Sequence, residues 1–526
     1  MTVSTGSVRR QVIPRWRSWR TSALLGEAAS SVRVQRVNGR RDELSHLLKE
    51  YRDDPNMGIA GDLLSAAVTM GDRRPEILKI AEDVETKTDW PLQQRMSRNI
   101  WAGEANRETK RFAVQTIDGG QRVRELRRAL ALHPRNAFGW VDLALEHLVL
   151  GFPEKSRKAM GIALSLAPSH RFVLRSASAL FVELGELDRA LAVLQQGTKS
   201  KSDPWLVAPQ VAIADLARMK QTLGRAAEHV LDADHPPMHL AELRAAFGTV
   251  QMSAGSSRRG RQLLRRILQA PTENALAQIE WSDHRIDESD PILGEMPGGV
   301  PRAFEALALR ASFEAKWNAG LEYSEQWRRD QPFRVEPYIQ GSFCACEAEE
   351  WELAESFSRS GLALHRNNPY LLNNRAFAQI GRGHLGDAAM TLLHARRSSS
   401  GVGERLARVA TEALWLFRIG ENEEGRDRYN AAIRIFTRKH LVDDAARAAL
   451  MLAQEEICAG SELAEEAWRR AVGLVGKSGK GAHVMHLQER VGRLRGSSPR
   501  QIGAGSPVVQ SATLIAILIP PELEHV

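Results

Sequence analysis

Residues 137–202 contain two consecutive copies of one pattern, and this repeat constrains the fold more than any other feature. Small side chains, one glycine and one proline occupy fixed places in the first copy: Ala144, Ser156, Ala163, Gly151 and Pro168. The second copy repeats the small places, and its Gly185 lies one 34-residue period after Gly151. Small residues let two helices approach to roughly 8–10 Å. Glycine permits the left-handed turn that ends a helix, and proline stops the next helix. The pattern therefore predicts two helical hairpins that stack on each other.

This spacing resembles that of the tetratricopeptide repeat (TPR). The resemblance implies pairs of antiparallel helices that cannot bury their apolar faces alone and therefore stack into a superhelix. Weaker copies continue on both sides, with stop positions at Pro134, Pro168, Pro236 and Pro271. We expect an all-α chain, an α-solenoid (superhelix) of about ten stacked helical hairpins in two blocks.

Breaks in the period divide the chain. Residues 282–300 carry acids, two prolines and three glycines, which is typical of a linker or a long insertion. The predicted parts are a basic arm (1–41), a first TPR-like block (42–281), the linker or insertion (282–300), a second TPR-like block (301–475) and a tail of unclear structure (476–526). In the tail, Val508–Ile519 has a strand-like composition.

The net charge of +8 is concentrated in the basic arm, where residues 1–41 hold nine arginines against one acid, Glu27. At its centre arginines alternate with tryptophans. Such a stretch can neutralise phosphates and stack on bases, so these are candidate RNA- or DNA-binding residues: Arg15, Trp16, Arg17, Trp19 and Arg20. The alternatives are a solvated arm, or an arm whose tryptophans dock on the first hairpin.

No residue pattern predicts catalysis, a metal site or a cofactor. The phosphate-loop-like Gly476-Lys477-Ser478 has Ala471 where the first glycine should be, and a repeat helix where a strand should precede it. The three cysteines form no C-x-x-C pair, which favours a reducing, cytoplasmic location. The most apolar run, Ala512–Ile519, is far shorter than the roughly 20 residues that span a bilayer, so no membrane association is expected.

The repeat resemblance also indicates where a partner would bind. In this family, places 2, 5, 9 and 12 of each 34-residue repeat lie in the first helix of the hairpin and line an inner groove. That groove holds a helix or an extended peptide of a protein partner. The matching candidates in the two central copies are Phe138, Val141, Leu145, Leu148, Phe172, Arg175 and Val182. The alternative is that neighbouring helices bury these side chains.

A fainter similarity concerns three phrases, 166–177, 202–206 and 271–275. They look like bacterial repeat proteins joined to PIN nucleases or to transcript-cleavage-factor-like segments. Because the repeats carry no catalytic pattern, we expect a non-catalytic protein-protein interaction scaffold. The alternatives are a nucleic-acid-associated regulatory subunit that uses the Arg/Trp-rich arm, and the interaction part of an incomplete nuclease-type regulator.

Overall fold

The computed structural model describes residues 10–24, 41–53, 60, 63–64, 67, 74–85, 119–197, 199–219, 223–285, 292, 294, 297–399, 401–479 and 481–496. Within these ranges all regular structure is helical and no strand is present. The chain is an all-α helical-repeat protein of the α-solenoid class, as the sequence predicts. Val508–Ile519, which has a strand-like composition, lies outside the described residues.

The chain forms two compact units. The first unit contains Gln11–Gln278 and Pro297–Pro301; the second contains Met1–Arg10, Ile279–Met296 and Arg302–Val526. Helices of the first unit are α1 (Trp19–Leu24), α2 (Arg41–Asp53), α3 (Pro75–Glu85), α4 (Gly119–Leu132), α5 (Ala137–Val149), α6 (Pro153–Leu166), α7 (Arg171–Glu183), α8 (Leu187–Gln195), α9 (Pro204–Leu216), α10 (Gly224–Asp232), α11 (Pro237–Ser253) and α12 (Ser257–Arg265). Helix α13 (Glu273–Arg285) contributes residues to both units.

Helices of the second unit are α14 (Phe304–Phe313), α15 (Trp317–Asp330), α16 (Glu336–Glu347), α17 (Trp351–Leu364), α18 (Pro369–Gly381), α19 (Leu385–Ser398), α20 (Val402–Ile419), α21 (Asn422–Arg438), α22 (Val442–Cys458), α23 (Ala464–Val475) and α24 (Ala482–Gly496). Helix α13 is longer than the sequence pattern indicates, because residues 282–285 of the predicted linker are helical. Asp283 then accepts a hydrogen bond from the backbone N–H of Ile292 (2.9 Å).

The two central copies fold as predicted, into hairpins α5–α6 and α7–α8. Gly151 and Gly185 have φ of 76° and 75°, the left-handed conformation that glycine adopts without a steric cost. Ala144 and Ala163 are completely buried where helices pack closely. The Ser156 hydroxyl donates to the Ala144 carbonyl (2.7 Å), which ties the two helices of one hairpin together.

The first helices of successive hairpins form an inner row. In the first unit α5 packs on α7, α7 on α9, and α9 on α11, while α6, α8, α10 and α12 pack outside them. At the α11–α12 contact Gly260 faces Gly248, and an added Cβ on Gly260 would lie 2.7 Å from the Gly248 carbonyl oxygen. Only glycine fits there without displacing a helix.

Several turns use other residues where the consensus has glycine. The first helices α9, α14 and α16 are followed by Arg218, Ala315 and Glu349, with φ of 54°, 55° and 63°. The left-handed backbone of the repeat is therefore retained although the glycine is lost.

The last described helix of the second unit lies against the first hairpin of that unit. Helix α24 packs on α22 and also contacts α14. The Trp317 indole N–H donates to Nδ1 of His486 (3.4 Å), and their rings meet edge to face with centroids 5.7 Å apart. Arg490 of α24 lies 3.4 Å from Glu349, which follows α16. The hairpins of this unit are thus wound tightly enough for both ends of the row to touch.

Candidate peptide-binding groove

The inner row of the first unit carries residues 11–24 on its surface. We call these residues the docked segment. Residues 11–18 form no helix or strand, and α1 follows them. Val12 and Trp16 are fully buried, and Ile13 is 6% exposed, so the docked segment belongs to the packed structure and is not a solvated arm.

Trp19 fills a slot between two first helices. Its ring stacks on Phe138 of α5, with centroids 3.9 Å apart and an interplanar angle of 14°. It is nearly perpendicular to the ring of Phe172 of α7, with centroids 5.0 Å apart and an interplanar angle of 71°. Offset stacked and edge-to-face contacts are the favoured geometries of aromatic pairs. Both phenylalanines occupy place 2 of their repeats. Trp19 therefore contacts the same repeat position in two successive hairpins.

Backbone contacts hold the docked segment near both of its ends. The backbone N–H of Trp19 donates to Oδ1 of Asp142 (2.8 Å), and Nδ2 of Asn274 donates to the carbonyl oxygen of Ile13 (2.9 Å). Burial raises the pKa of the Asp142 carboxyl to about 7, although the hydrogen bond from Trp19 opposes the shift. The neighbouring Glu146 carboxylate adds to it, and the Arg122 guanidinium reduces it.

Side-chain contacts add a charge pattern. The Arg17 guanidinium pairs with Glu273 at 2.8 Å, and both side chains are less than a tenth exposed. The Gln11 amide donates to Asp215 of α9 (2.7 Å). Acidic or amide side chains on α5, α9 and α13 therefore face the docked segment. No local sequence pattern marks these partners; the excess of arginine in the basic arm is the signal that points to acidic partners.

The structure places the predicted groove residues in three kinds of environment. Phe138 and Phe172 contact the docked segment. Arg175 lies inside the row, where it pairs with Glu242 of α11 (2.9 Å) and donates to the Trp205 carbonyl (2.8 Å). The remaining candidates line the inner helices as buried Val141, Leu145 and Leu148 and half-buried Val182.

The predicted nucleic-acid residues are placed by the same docking. Trp16 is buried, Arg17 is paired with Glu273, and Trp19 is stacked on Phe138. Arg15 is half-buried, and the Arg20 side chain lies outside the described residues. In this arrangement Trp16 is inaccessible to a base, and one face of Trp19 is already stacked on Phe138. This placement favours the alternative in which tryptophans dock on a hairpin.

Several polar side chains of the inner helices in the second unit are paired with other residues of the repeats. Glu412 accepts from Arg408 and from Arg428, the latter at 3.0 Å. Asn374 of α18 donates to the Ser342 hydroxyl of α16 (3.1 Å). These contacts hold neighbouring helices together.

Three findings bear on other functions. The backbone N–H groups of Gly476 and Lys477 donate to the carbonyls of Val472 and Leu474, so they cap α23 and do not surround a phosphate. In the described part of the chain, no three His, Cys, Asp or Glu side chains gather where a metal ion could be held. No helix among the residues that the structure describes has the length and apolar character needed to cross a bilayer.

Comparisons with known proteins give distant structural likenesses. Yeast Tom70 is 12% identical, covering 91% of this chain and 95% of that chain with a TM-score of 0.30. A structure of Naa15/Naa10 bound to HypK-THB contains a chain that is 14% identical, covering 90% of this chain and 78% of that chain with a TM-score of 0.23. No family model matches, and no curated protein matches. TM-scores this low carry nothing about function.

Proposed function

We propose that this chain is a non-catalytic protein-protein interaction scaffold that binds an extended segment of a partner in the inner groove of the first unit. One observation carries the proposal. A non-helical stretch, residues 11–18, already lies along this face with its backbone and side chains in contact with the repeats. A face that accommodates one non-helical chain has hydrogen-bonding groups that can accommodate another.

Selection from a displayed library of random peptides about twelve residues long would test this proposal. The bait is the full chain with Arg17→Ala and Trp19→Ala, since these changes loosen the docked segment. We expect enriched peptides whose binding is lost when Phe138→Ala is added to the bait. The control addition is Phe152→Ala, because Phe152 is an exposed aromatic residue (46%) of the same unit. No enrichment, or enrichment that is insensitive to Phe138→Ala, would contradict the proposal.

The alternative nucleic-acid function would require the docked segment to leave the groove, because Trp16 is buried and Arg17 is paired. The nuclease-type alternative gains no support from the described residues. The bacterial and cytoplasmic setting expected from the sequence remains a prediction.

A further inference from the structure

We propose that the groove of the first unit selects a basic, aromatic extended peptide of a partner protein, and that the docked segment is its internal competitor. This inference rests on the proposed function and adds the chemistry of the partner and the control of access. In the absence of a partner, residues 11–24 occupy the groove. A partner segment that presents arginine and tryptophan at the same spacing displaces them.

Two hydrogen bonds to the backbone hold the docked segment without involving its side chains, one in its non-helical part and one at the first residue of α1. Asn274 donates to a main-chain carbonyl (Ile13), and Asp142 accepts from a main-chain N–H (Trp19). Backbone contacts of this kind give affinity, whereas pockets for side chains give specificity. Nothing in these two contacts requires the peptide to be covalently joined to the repeats.

The aromatic slot supplies the first element of selection. Phe138 and Phe172 stand edge to face, with centroids 5.8 Å apart and an interplanar angle of 83°. This arrangement offers two nearly perpendicular aromatic rings to an incoming flat side chain. Trp19 occupies the slot while remaining partly exposed, so it can leave without opening the core of a hairpin.

Glu273 supplies the second element. Its side chain is 9% exposed and pairs with Arg17 at 2.8 Å. Removing the cation from a buried carboxylate costs far more than removing it from a surface pair. The groove therefore favours an occupant that brings its own arginine, and it disfavours an acidic or neutral peptide.

Release of the docked segment would break little secondary structure. Its helical part, α1, has six residues, and isolated helices this short are marginal in water. Release therefore costs the contacts with the groove and little additional structure. Access of a partner is set by the fraction of chains in which the segment has left, because the apparent dissociation constant is the intrinsic one divided by that fraction.

The test uses a fluorescent synthetic peptide of residues 11–24, added to the full chain, with binding followed by anisotropy. We expect weak binding to the unmodified chain. The full chain with Arg17→Ala and Trp19→Ala should bind the same peptide at least about tenfold more tightly, because its own segment competes poorly. The control is Trp140→Ala, which removes a tryptophan of α5 whose ring N–H donates to the Pro134 carbonyl (2.8 Å) and not to the docked segment; it should leave the affinity unchanged.

Selectivity is tested on the peptide, so that it does not depend on the folding of a variant protein. Peptides with Trp19→Ala or Arg17→Glu should lose at least about tenfold in affinity for the loosened chain. A charge exchange gives a sharper readout. The loosened chain with Glu273→Arg should prefer the Arg17→Glu peptide over the original peptide, which a general attraction between a basic peptide and an acidic protein would not produce.

The outcomes separate the two proposals. If library peptides bind in a Phe138-dependent way but the peptide of residues 11–24 does not, this inference fails and the proposed function stands. If no peptide of either kind binds, both fail. Equal affinity of the unmodified and loosened chains would refute the competition. Two other results would also overturn the inference: dimers of the unmodified chain that the peptide dissociates, since the occupant is then a second copy, and binding of a single-stranded RNA of similar length in place of the peptide.

Discussion

The contact between α11 and α12 gives a prediction whose size follows from geometry. Replacing Gly260 with alanine would place a Cβ 2.7 Å from the Gly248 carbonyl oxygen and 3.0 Å from the Met252 backbone nitrogen. Both are backbone atoms, so the clash can be relieved only by separating the two helices. Overpacking of this kind typically costs about 1–3 kcal/mol. Alanine also has a better helix propensity than glycine, by up to about 1 kcal/mol.

Gly161→Ala isolates the steric part. Gly161 lies inside α6, and an added Cβ would meet nothing within 4 Å. The Gly161→Ala variant gains a similar helix-propensity benefit without a clash. The difference in unfolding free energy between the two variants therefore approximates the steric cost alone, about 1–3 kcal/mol. Urea unfolding followed by circular dichroism measures each free energy, and hydrogen exchange of α11 and α12 localises the effect. If Gly260→Ala proved as stable as Gly161→Ala, the assigned contact between the two glycines would be wrong.

Three further predictions concern burial and charge. Ala163→Asp should lower the free energy of unfolding by several kcal/mol, because it places an unpaired charge at a fully buried helix contact. Ile162 is 38% exposed, so Ile162→Asp should change the free energy of unfolding little, and thermal melting compares the two variants. Burial raises the pKa of Asp142 from its usual 3.8 to about 7, so the stability linked to its protonated form is complete below about pH 4 and is lost as the pH rises through 7. Asp142→Asn should therefore raise the melting temperature more at about pH 8 than at about pH 4, and an equal effect at both would contradict the assignment. Burial raises the pKa of the Cys344 thiol to about 12, so iodoacetamide should label half-buried Cys458 well before Cys344, as peptide mass spectrometry would show.

The sequence predicted the hairpins best where each place of the repeat demands one residue type. Gly151 and Gly185 adopt the left-handed conformation that their position indicates. Arg218 and Glu349 adopt it too, at a modest cost in backbone strain that packing of the surrounding helices overcomes. No residue preference marks those turns, so the repeats beyond the central pair could be followed by period but not by composition.

The candidate site was predictable in parts and not as an assembly. Phe138 and Phe172 follow from their place in the repeat, and Trp19 stands out as an aromatic residue among arginines. Their meeting does not follow from any local pattern, because Trp19 and its partner Asp142 are 123 residues apart in the chain. Charge was the long-range signal that the sequence offered, because an arginine-rich arm is expected to pair with acidic side chains elsewhere. Arg17 does so with Glu273.

The contact between Trp317 and His486 has a consequence for how the second unit can evolve. An open array tolerates the duplication or loss of a module, because each module touches only its neighbours. In the second unit, α24, the last described helix, also contacts the first hairpin. Adding or deleting one hairpin between them would separate Trp317 from His486. The number of hairpins in the second unit is therefore constrained by the contact between its first hairpin and α24.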